Sequence, residues 1–336
     1  MKVWEIHPEE GFNALKLVER SQPQPHGQQV LIKINAVSLN YRDLLAVKGA
    51  YGSKQKLPLV PFSDGAGEVV AVGEGVTRVK VGDRVAGIFM QTWLAGHFSA
   101  EKSNSALGGG IDGVLAEYVT LHEDGVVHVP KHLSDEEAAT LPCAAVTAWN
   151  ALVTEGNFQA GETILIQGTG GVSIFALQFA KIMGARVIAT SSSDRKLEKL
   201  LQLGASDVIN YKSTPNWDEK VWQLTAGIGV DRVIEVGGAD TLNKSVRAVR
   251  YGGHISLIGV LTGLKAEVST ASILHKGIRV QGVYVGSREM FAAMNQAIAL
   301  HHLKPVIDRA FSFEQVKEAL EYMESGAHFG KIVLRF

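Results

Sequence analysis

The sequence has a single cysteine, Cys143, among 336 residues. That excludes an internal disulfide and any zinc site built from several cysteines, and it fits a reducing compartment. No apolar run approaches the ~18 residues of a membrane span, and Met1-Lys2-Val3-Trp4-Glu5 lacks the basic-then-apolar pattern of a signal segment. An excess of one charge is missing as well. With 33 basic and 34 acidic residues the net charge is about −1, so no global attraction to nucleic acid or anionic membrane is expected. There is no internal repeat and no low-complexity tail. A cytoplasmic protein without nucleic-acid or membrane partners is the expectation.

What is present is ordinary globular composition, 46% hydrophobic and 20% charged, in a chain long enough for two domains. The most informative stretch is Ile164-Leu165-Ile166-Gln167-Gly168-Thr169-Gly170-Gly171-Val172-Ser173. A strand-forming run meets a glycine turn, after which Val172, Phe175, Ala176, Phe179, Ala180 and Met183 recur at helical spacing. Strand, glycine turn and helix together point to a dinucleotide cradle, against the alternative of a tight strand-to-helix turn without a ligand. Small residues admit the pyrophosphate to the backbone, and the helix N-terminus offers N–H groups and positive dipole. Ser173 stands where that fingerprint prefers glycine or alanine.

Residues 1 to about 130 read as β-rich. Val30 to Ala36 alternates apolar and polar residues, and Gly65 to Gly73 is a second strand bounded by glycine. Frequent turns point to a small barrel, with a short helix over Tyr41 to Val47 and a long loop over 92–113. From Ser134 the pattern changes. Ser134-Asp135-Glu136-Glu137 is a helix start with a capping box. Strands are then predicted at 163–167, 186–190, 207–210, 230–236, 254–259 and 278–284. Helices are predicted at 172–183, 194–203, 217–225, 240–250 and 269–276. Strands joined by helical crossovers make an α/β, doubly wound parallel sheet of the Rossmann type. A strand near 306–309, a helix at about 313–325 and a strand at 331–334 follow, and the last can return to the first domain.

An NAD-preferring domain usually carries an acid about 20 residues beyond the glycines. Here that place reads Thr190-Ser191-Ser192-Ser193, followed by Asp194, Arg195 and Lys196. Hydroxyls and cations suit a 2′-phosphate, so NADPH is expected in preference to NADH. Ser193 also qualifies as the cap of the next helix, and Asp194 pointing at the ribose would shift the preference to NADH. Among 11 histidines none has ligand spacing: Pro130 separates His128 from His132, and His301 and His302 are adjacent. No metal is expected. Cys143, among small apolar residues, reads as buried and inert.

Several segments in this order resemble the medium-chain dehydrogenase/reductase superfamily, in its zinc-free quinone-oxidoreductase-like branch. They are Ser38 to Asp43, Pro61 to Gly67, Val81 to Val85, Ala116 to Tyr118, Leu141 to Trp149, Gly168 to Val172, Gly184-Ala185, Gly204 to Tyr211 and Gly330 to Leu334. The resemblance implies a GroES-like β-barrel catalytic domain at 1–130 and 285–336, a Rossmann cofactor domain at 131–284, and a homodimer. Zinc enzymes of that superfamily carry a cysteine ligand near Asn40 to Asp43 and a histidine–glutamate pair where this chain has Ser63-Asp64. The zinc electrophile must then be replaced by hydrogen-bond donors. By resemblance Asn40, Tyr41 and Tyr51 line the catalytic site, and each tyrosine reads equally as packing. Asp64 either pairs with Arg42 or accepts a hydroxyl proton.

The resemblance also places Thr147 beside the nicotinamide and Gly168, Thr169, Gly170, Gly171 and Val172 on the pyrophosphate. It places Ser191, Ser192, Lys196 and Tyr211 at the adenosine phosphate. Gly237, Gly259, Val260, Leu261, Gly286, Ser287 and Arg288 fall at later strand ends, and Lys331 matches a position near the cofactor. The implied activity is NADPH-dependent hydride transfer to a quinone or an α,β-unsaturated carbonyl. A zinc-free alcohol dehydrogenase or aldehyde reductase, and a non-catalytic NADPH-binding protein, are the alternatives.

Overall fold

The structure, a computed structural model, describes residues 1–50 and 56–336. Met1–Val146 with Gly286–Phe336 forms one compact unit and Thr147–Val285 a second. Residues 131–146 lie in the first unit, although the alternation of strands and helices begins at Ser134. Ser134 Oγ accepts from the Glu137 amide and Glu137 accepts from the Ser134 amide, so the capping box forms as the sequence predicts. Asp135 then ties this helix to strands of the first unit through Asn35 Nδ2 and Arg84 Nε, both at 2.9 Å.

The sheet of the first unit runs in the order Ile307–Ser312, Lys331–Arg335, Gln29–Ser38, Asp64–Val72, Arg84–Gly87 and Val126–His128. Its first pair is parallel and the others are antiparallel. Gln29–Ser38 is the pivot. Its early half also pairs with Tyr118–His122 and its end pairs with Lys331–Arg335. Two register shifts against Asp64–Val72 accompany that change of partner. Gly67 sits at the second shift, where a Cβ would come 1.9 Å from the Lys33 carbonyl oxygen, so only glycine lets the strands approach. Val30, Ile32 and Ile34, every second residue, enter one core with Val69, Val85, Val119, Ile332 and Leu334. Burial of each is worth roughly 1.5–3 kcal/mol.

This register brings three strand ends together, because Ser38 lies opposite both Asp64 and Val333. Asn40 lies two residues beyond Ser38, and Lys331 opens the terminal strand. That strand returns to the first unit as expected. The 92–113 segment folds back on the same region. Phe62 is fully buried at φ 70°, a left-handed conformation costly for a bulky residue. A Cβ on Gly113 would fall 2.0 Å from its carbonyl oxygen. The strained residue immediately precedes Ser63-Asp64.

The second unit is the expected parallel sheet, ordered Asp207–Asn210, Arg186–Ser191, Thr163–Gln167, Val230–Glu235, Val249–Leu257, Arg279–Gly282. Numbered along the chain this is 3-2-1-4-5-6, the dinucleotide-binding order. The order reverses between Thr163–Gln167 and Val230–Glu235, where ligands of such sheets bind. Leu165, Ile188, Val233 and Ile255 fill the core, with Trp217, Val221 and Val246 from the covering helices. Among the described residues no helix is long and apolar enough to cross a membrane.

Candidate active site

The glycine turn leaves the strand at the switch point. Gly168 has φ 69°, and its amide donates to the Thr190 carbonyl at 2.8 Å, so glycine is required there by conformation. Gly170 differs. It precedes the helix Gly171–Ile182 at φ −76°, and a Cβ there would meet nothing within 4 Å. Neither strain nor protein packing demands glycine at 170, and the open space fits a pyrophosphate at the helix start. Thr169 is buried, while Gly171 and Val172 open the helix. Ser173, the departure from the fingerprint, donates its hydroxyl to the Gln167 carbonyl at 2.6 Å, which satisfies it inside the turn.

At the adenosine end Ser191 closes its strand, buried, and its carbonyl accepts from the Tyr211 amide at 3.1 Å. Ser192 and Lys196 are half-buried and Tyr211 is exposed. Ser193 occupies the cap position of Asp194–Gln202 without a capping side-chain bond. Asp194 accepts from Asn210 Nδ2 at 2.6 Å. Thr147 is buried at the start of the second unit.

Gly237 donates its amide to Glu235 Oε1 at 2.9 Å. Gly259 leaves no room for a Cβ, which would lie 2.1 Å from the Val236 carbonyl, while Val260 and Leu261 are exposed beside it. Gly286, Ser287 and Arg288 belong to the first unit. Ser287 caps Arg288–Leu300 by accepting from the Met290 amide at 3.2 Å, and Arg288 pairs with Asp124.

The first unit holds a buried polar cluster at the meeting strand ends. Asp43 and Asp64 are fully buried and Lys331 is 4% exposed. Lys331 Nζ donates to Asn40 Oδ1 at 2.6 Å and to the Leu39 carbonyl. An ammonium only donates, so this contact fixes the amide: oxygen toward Lys331 and Nδ2 away. Nδ2 points toward the Asp64 carboxylate and draws that acid's pKa down, yet it is buried without a hydrogen bond of ordinary geometry. Asp64 itself accepts from Ser63 Oγ at 2.6 Å and from the Cys143 amide at 3.0 Å. Arg42 pairs with Asp43, which also accepts from the Asn40 amide at 2.8 Å.

Burial dominates the electrostatics here. It pushes Asp43 up to about 6 against the pull of Arg42, and raises Asp64 against Lys331, Ser63, Asn40 and the Cys143 amide. Burial also lowers Lys331. The Cys143 thiol is raised, by burial first and by Asp64 second, so it stays protonated. By surface the residue is part-exposed rather than buried as the sequence suggested.

Of the predicted catalytic residues, Asn40 and Asp64 meet. Tyr41 is 41% exposed at the start of its helix, and Tyr51 lies outside the described residues. Sequence reasoning gave no role to Ser63 or Asp43. Only the Asn-x-x-Asp capping spacing of Asn40 and Asp43 announced the latter.

Among the described residues no three histidine, cysteine, aspartate or glutamate side chains converge to hold a metal. The polar cluster offers an amide, a hydroxyl, a protonated thiol and two carboxyl groups, of which Asp43 is taken by Arg42 and the Asn40 amide, beside an ammonium that repels a divalent cation. This donor set does not fit zinc.

A family model described as an alcohol dehydrogenase GroES-like domain matches residues 26–131. One described as a zinc-binding dehydrogenase matches 171–300. A zinc-type alcohol dehydrogenase-like protein of Schizosaccharomyces pombe is 46% identical, with 98% of each chain covered. Quinone oxidoreductase-like protein 2 of Bos taurus is 30% identical, over 93% of this chain and 85% of that protein. A solved structure of an NAD-dependent alcohol dehydrogenase superposes with a TM-score of 0.92 at 31% identity, covering 100% of both chains.

Proposed function

The chain belongs to the medium-chain dehydrogenase/reductase superfamily, and from that premise we propose a zinc-independent, NADPH-dependent reductase of quinones or α,β-unsaturated carbonyls. The observation that carries the reading is the buried Asn40 Nδ2, aimed by Lys331 and facing Asp64 without a hydrogen bond of ordinary geometry. A buried donor left without a well-formed hydrogen bond costs up to about 1–3 kcal/mol, a cost relieved when a substrate oxygen accepts from it. Developing negative charge on that oxygen strengthens the bond, and one such donor is worth roughly 10²–10³ in rate.

When bound, NADPH supplies the hydride from its nicotinamide ring. The glycine turn at Gly168 to Val172 would hold the pyrophosphate, with Thr147 and the loops at Gly237 and Gly259 to Leu261 beside the rest of the dinucleotide. Ser191, Ser192 and Lys196 would take the 2′-phosphate. Asp194 is engaged by Asn210, which favours the phosphate reading over a carboxylate on the ribose. Gly286 to Arg288 and Lys331 complete the proposed set.

A second reading is supported by Asp64. A buried carboxyl with a raised pKa and a serine hydroxyl at 2.6 Å is suited to accept a proton from an alcohol, so oxidation of alcohols remains the alternative activity. The proposal places the protein in the cytoplasm as a homodimer, which size-exclusion with light scattering checks. NADPH oxidation against quinones, enones and aldehydes tests the activity. Turnover of quinones or enones is expected. NADPH binding with no turnover on any of them would contradict the enzymatic reading, and turnover confined to alcohols and aldehydes would select the alternative.

A further inference from the structure

At the switch point the ends of the two central strands are joined through side chains. Glu235, the last residue of Val230–Glu235, is fully buried. Its Oε1 accepts from the Gly237 amide at 2.9 Å, the Gly238 amide at 3.0 Å and Thr241 Oγ1 at 2.5 Å. Its Oε2 accepts from Gln167 Nε2 at 2.8 Å and from the Ser245 hydroxyl. All five donors are neutral groups. A carboxylate withdrawn from water and answered only by neutral donors is an expensive way to stabilise a fold, since apolar packing of the same volume does so at lower cost. What the arrangement provides is geometry.

That geometry concerns two loops at once. Gln167 directly precedes Gly168. Its Nε2 is held by Glu235 and Ser245 Oγ, both at 2.8 Å, and its carbonyl by Ser173 Oγ at 2.6 Å. The strand end before the glycine turn is thus fastened on both sides. Gly237 and Gly238 begin the loop after the neighbouring central strand. The Gly237 carbonyl accepts from Thr262 N at 2.8 Å and Thr262 Oγ1 at 3.1 Å, which carries the connection to the loop of Gly259 to Leu261. One carboxylate therefore couples the glycine turn to both later loops.

We propose that Glu235 is a positioning residue for the dinucleotide, holding the glycine turn and the Gly237–Gly238 loop in a single arrangement across the switch point. The inference rests on the cofactor reading above. Glu235 touches no substrate and takes no part in hydride transfer. It acts through Gln167 and the two glycine amides.

The test compares the unaltered chain with Glu235→Gln, Glu235→Asp and Gln167→Met, by NADPH fluorescence titration, thermal melting and steady-state kinetics. Glu235→Gln presents an NH2 group to donors, and Gln167→Met removes only the bridge to the glycine turn, so the second variant serves if the first does not fold. Each is expected to raise the NADPH Kd and KM by about 10- to 100-fold, with kcat at saturating NADPH nearly unchanged. Glu235→Asp should recover part of the affinity. A fall in melting temperature with Kd unchanged, in whichever of Glu235→Gln and Gln167→Met folds, would reduce Glu235 to a structural role and overturn the inference. If the unaltered chain bound neither NADPH nor NADH, the cofactor reading would fall and this inference with it. Binding by the unaltered chain with no change in the variants removes this inference alone.

Discussion

Lys331 Nζ donates to Asn40 Oδ1 at 2.6 Å, across 291 positions of the chain, and so decides which way the amide of Asn40 faces. Asn40→Asp keeps an acceptor for Lys331 but has no N–H for a substrate oxygen. At pH 8 kcat/KM for an enone should fall roughly 10²–10³-fold in a protein that melts as a folded chain. Retention of kcat/KM near the parent value would show that Asn40 Nδ2 is not the electrophile.

Gly168 and Gly170 are both glycines of the turn, yet their substitutions should separate stability from binding. Gly170→Ala meets ordinary φ and open space, so the folded chain should be unchanged or gain about 0.4–1 kcal/mol. Its NADPH Kd should nonetheless rise about tenfold or more, because the methyl enters the space expected for the pyrophosphate. Gly168→Ala forces a side chain into φ 69° and should cost about 1–2 kcal/mol of stability. Titration and urea denaturation check both. Unchanged NADPH affinity in Gly170→Ala would place the pyrophosphate elsewhere.

Much of this was legible in advance where local pattern and tertiary role agree. The apolar runs at 163–167 and 207–210 coincide with the observed strands, and the first residues of Asp194–Gln202 and Trp217–Leu224 stand where periodicity put them. The same rules misread Val249–Leu257. Its start, Val249-Arg250-Tyr251-Gly252-Gly253, looks like a helix end and a turn, but Val249 pairs with Val230 and the strand regains register at His254 after a bulge.

Wide helical turns at Leu141–Ala145 and Asn150–Thr154 have no compositional signal, since i to i+5 bonding needs no special residue. In the candidate site, Asn40 and Asp64 were readable through the family resemblance. The Lys331 contact and the Gln167–Glu235 bridge were not, because they join residues that only the strand register brings together.

Asp43 gives the fold a pH signature. Its pKa lies at about 6 rather than 3.8, through burial opposed by Arg42. Between those values the native chain keeps a proton that the unfolded chain has released, so stability falls as pH rises through this window. The rise corresponds to roughly 3 kcal/mol once both states are ionised. Chemical denaturation from pH 4 to 7 should show the parent losing about that much relative to Asp43→Asn. Parallel curves for the two proteins would contradict it.

Lys196 stands at the start of Asp194–Gln202, beside the serines that close the preceding strand. Lys196→Ala should weaken NADPH about tenfold or more and leave NADH nearly unaffected, as loss of a charge-assisted contact to a 2′-phosphate requires. Equal effects on the two cofactors, measured by titration, would remove the phosphate role and with it the NADPH preference.

In the proposed reaction a fixed amide donor beside a buried carboxylate and ammonium stands in for a metal in polarising the substrate. The decisive measurement is the enone or quinone reductase rate of protein stripped with a strong chelator and assayed for residual metal. Metal-depleted protein should keep its kcat, with no gain on adding Zn²⁺. Loss of activity on chelation, restored by Zn²⁺, would contradict it.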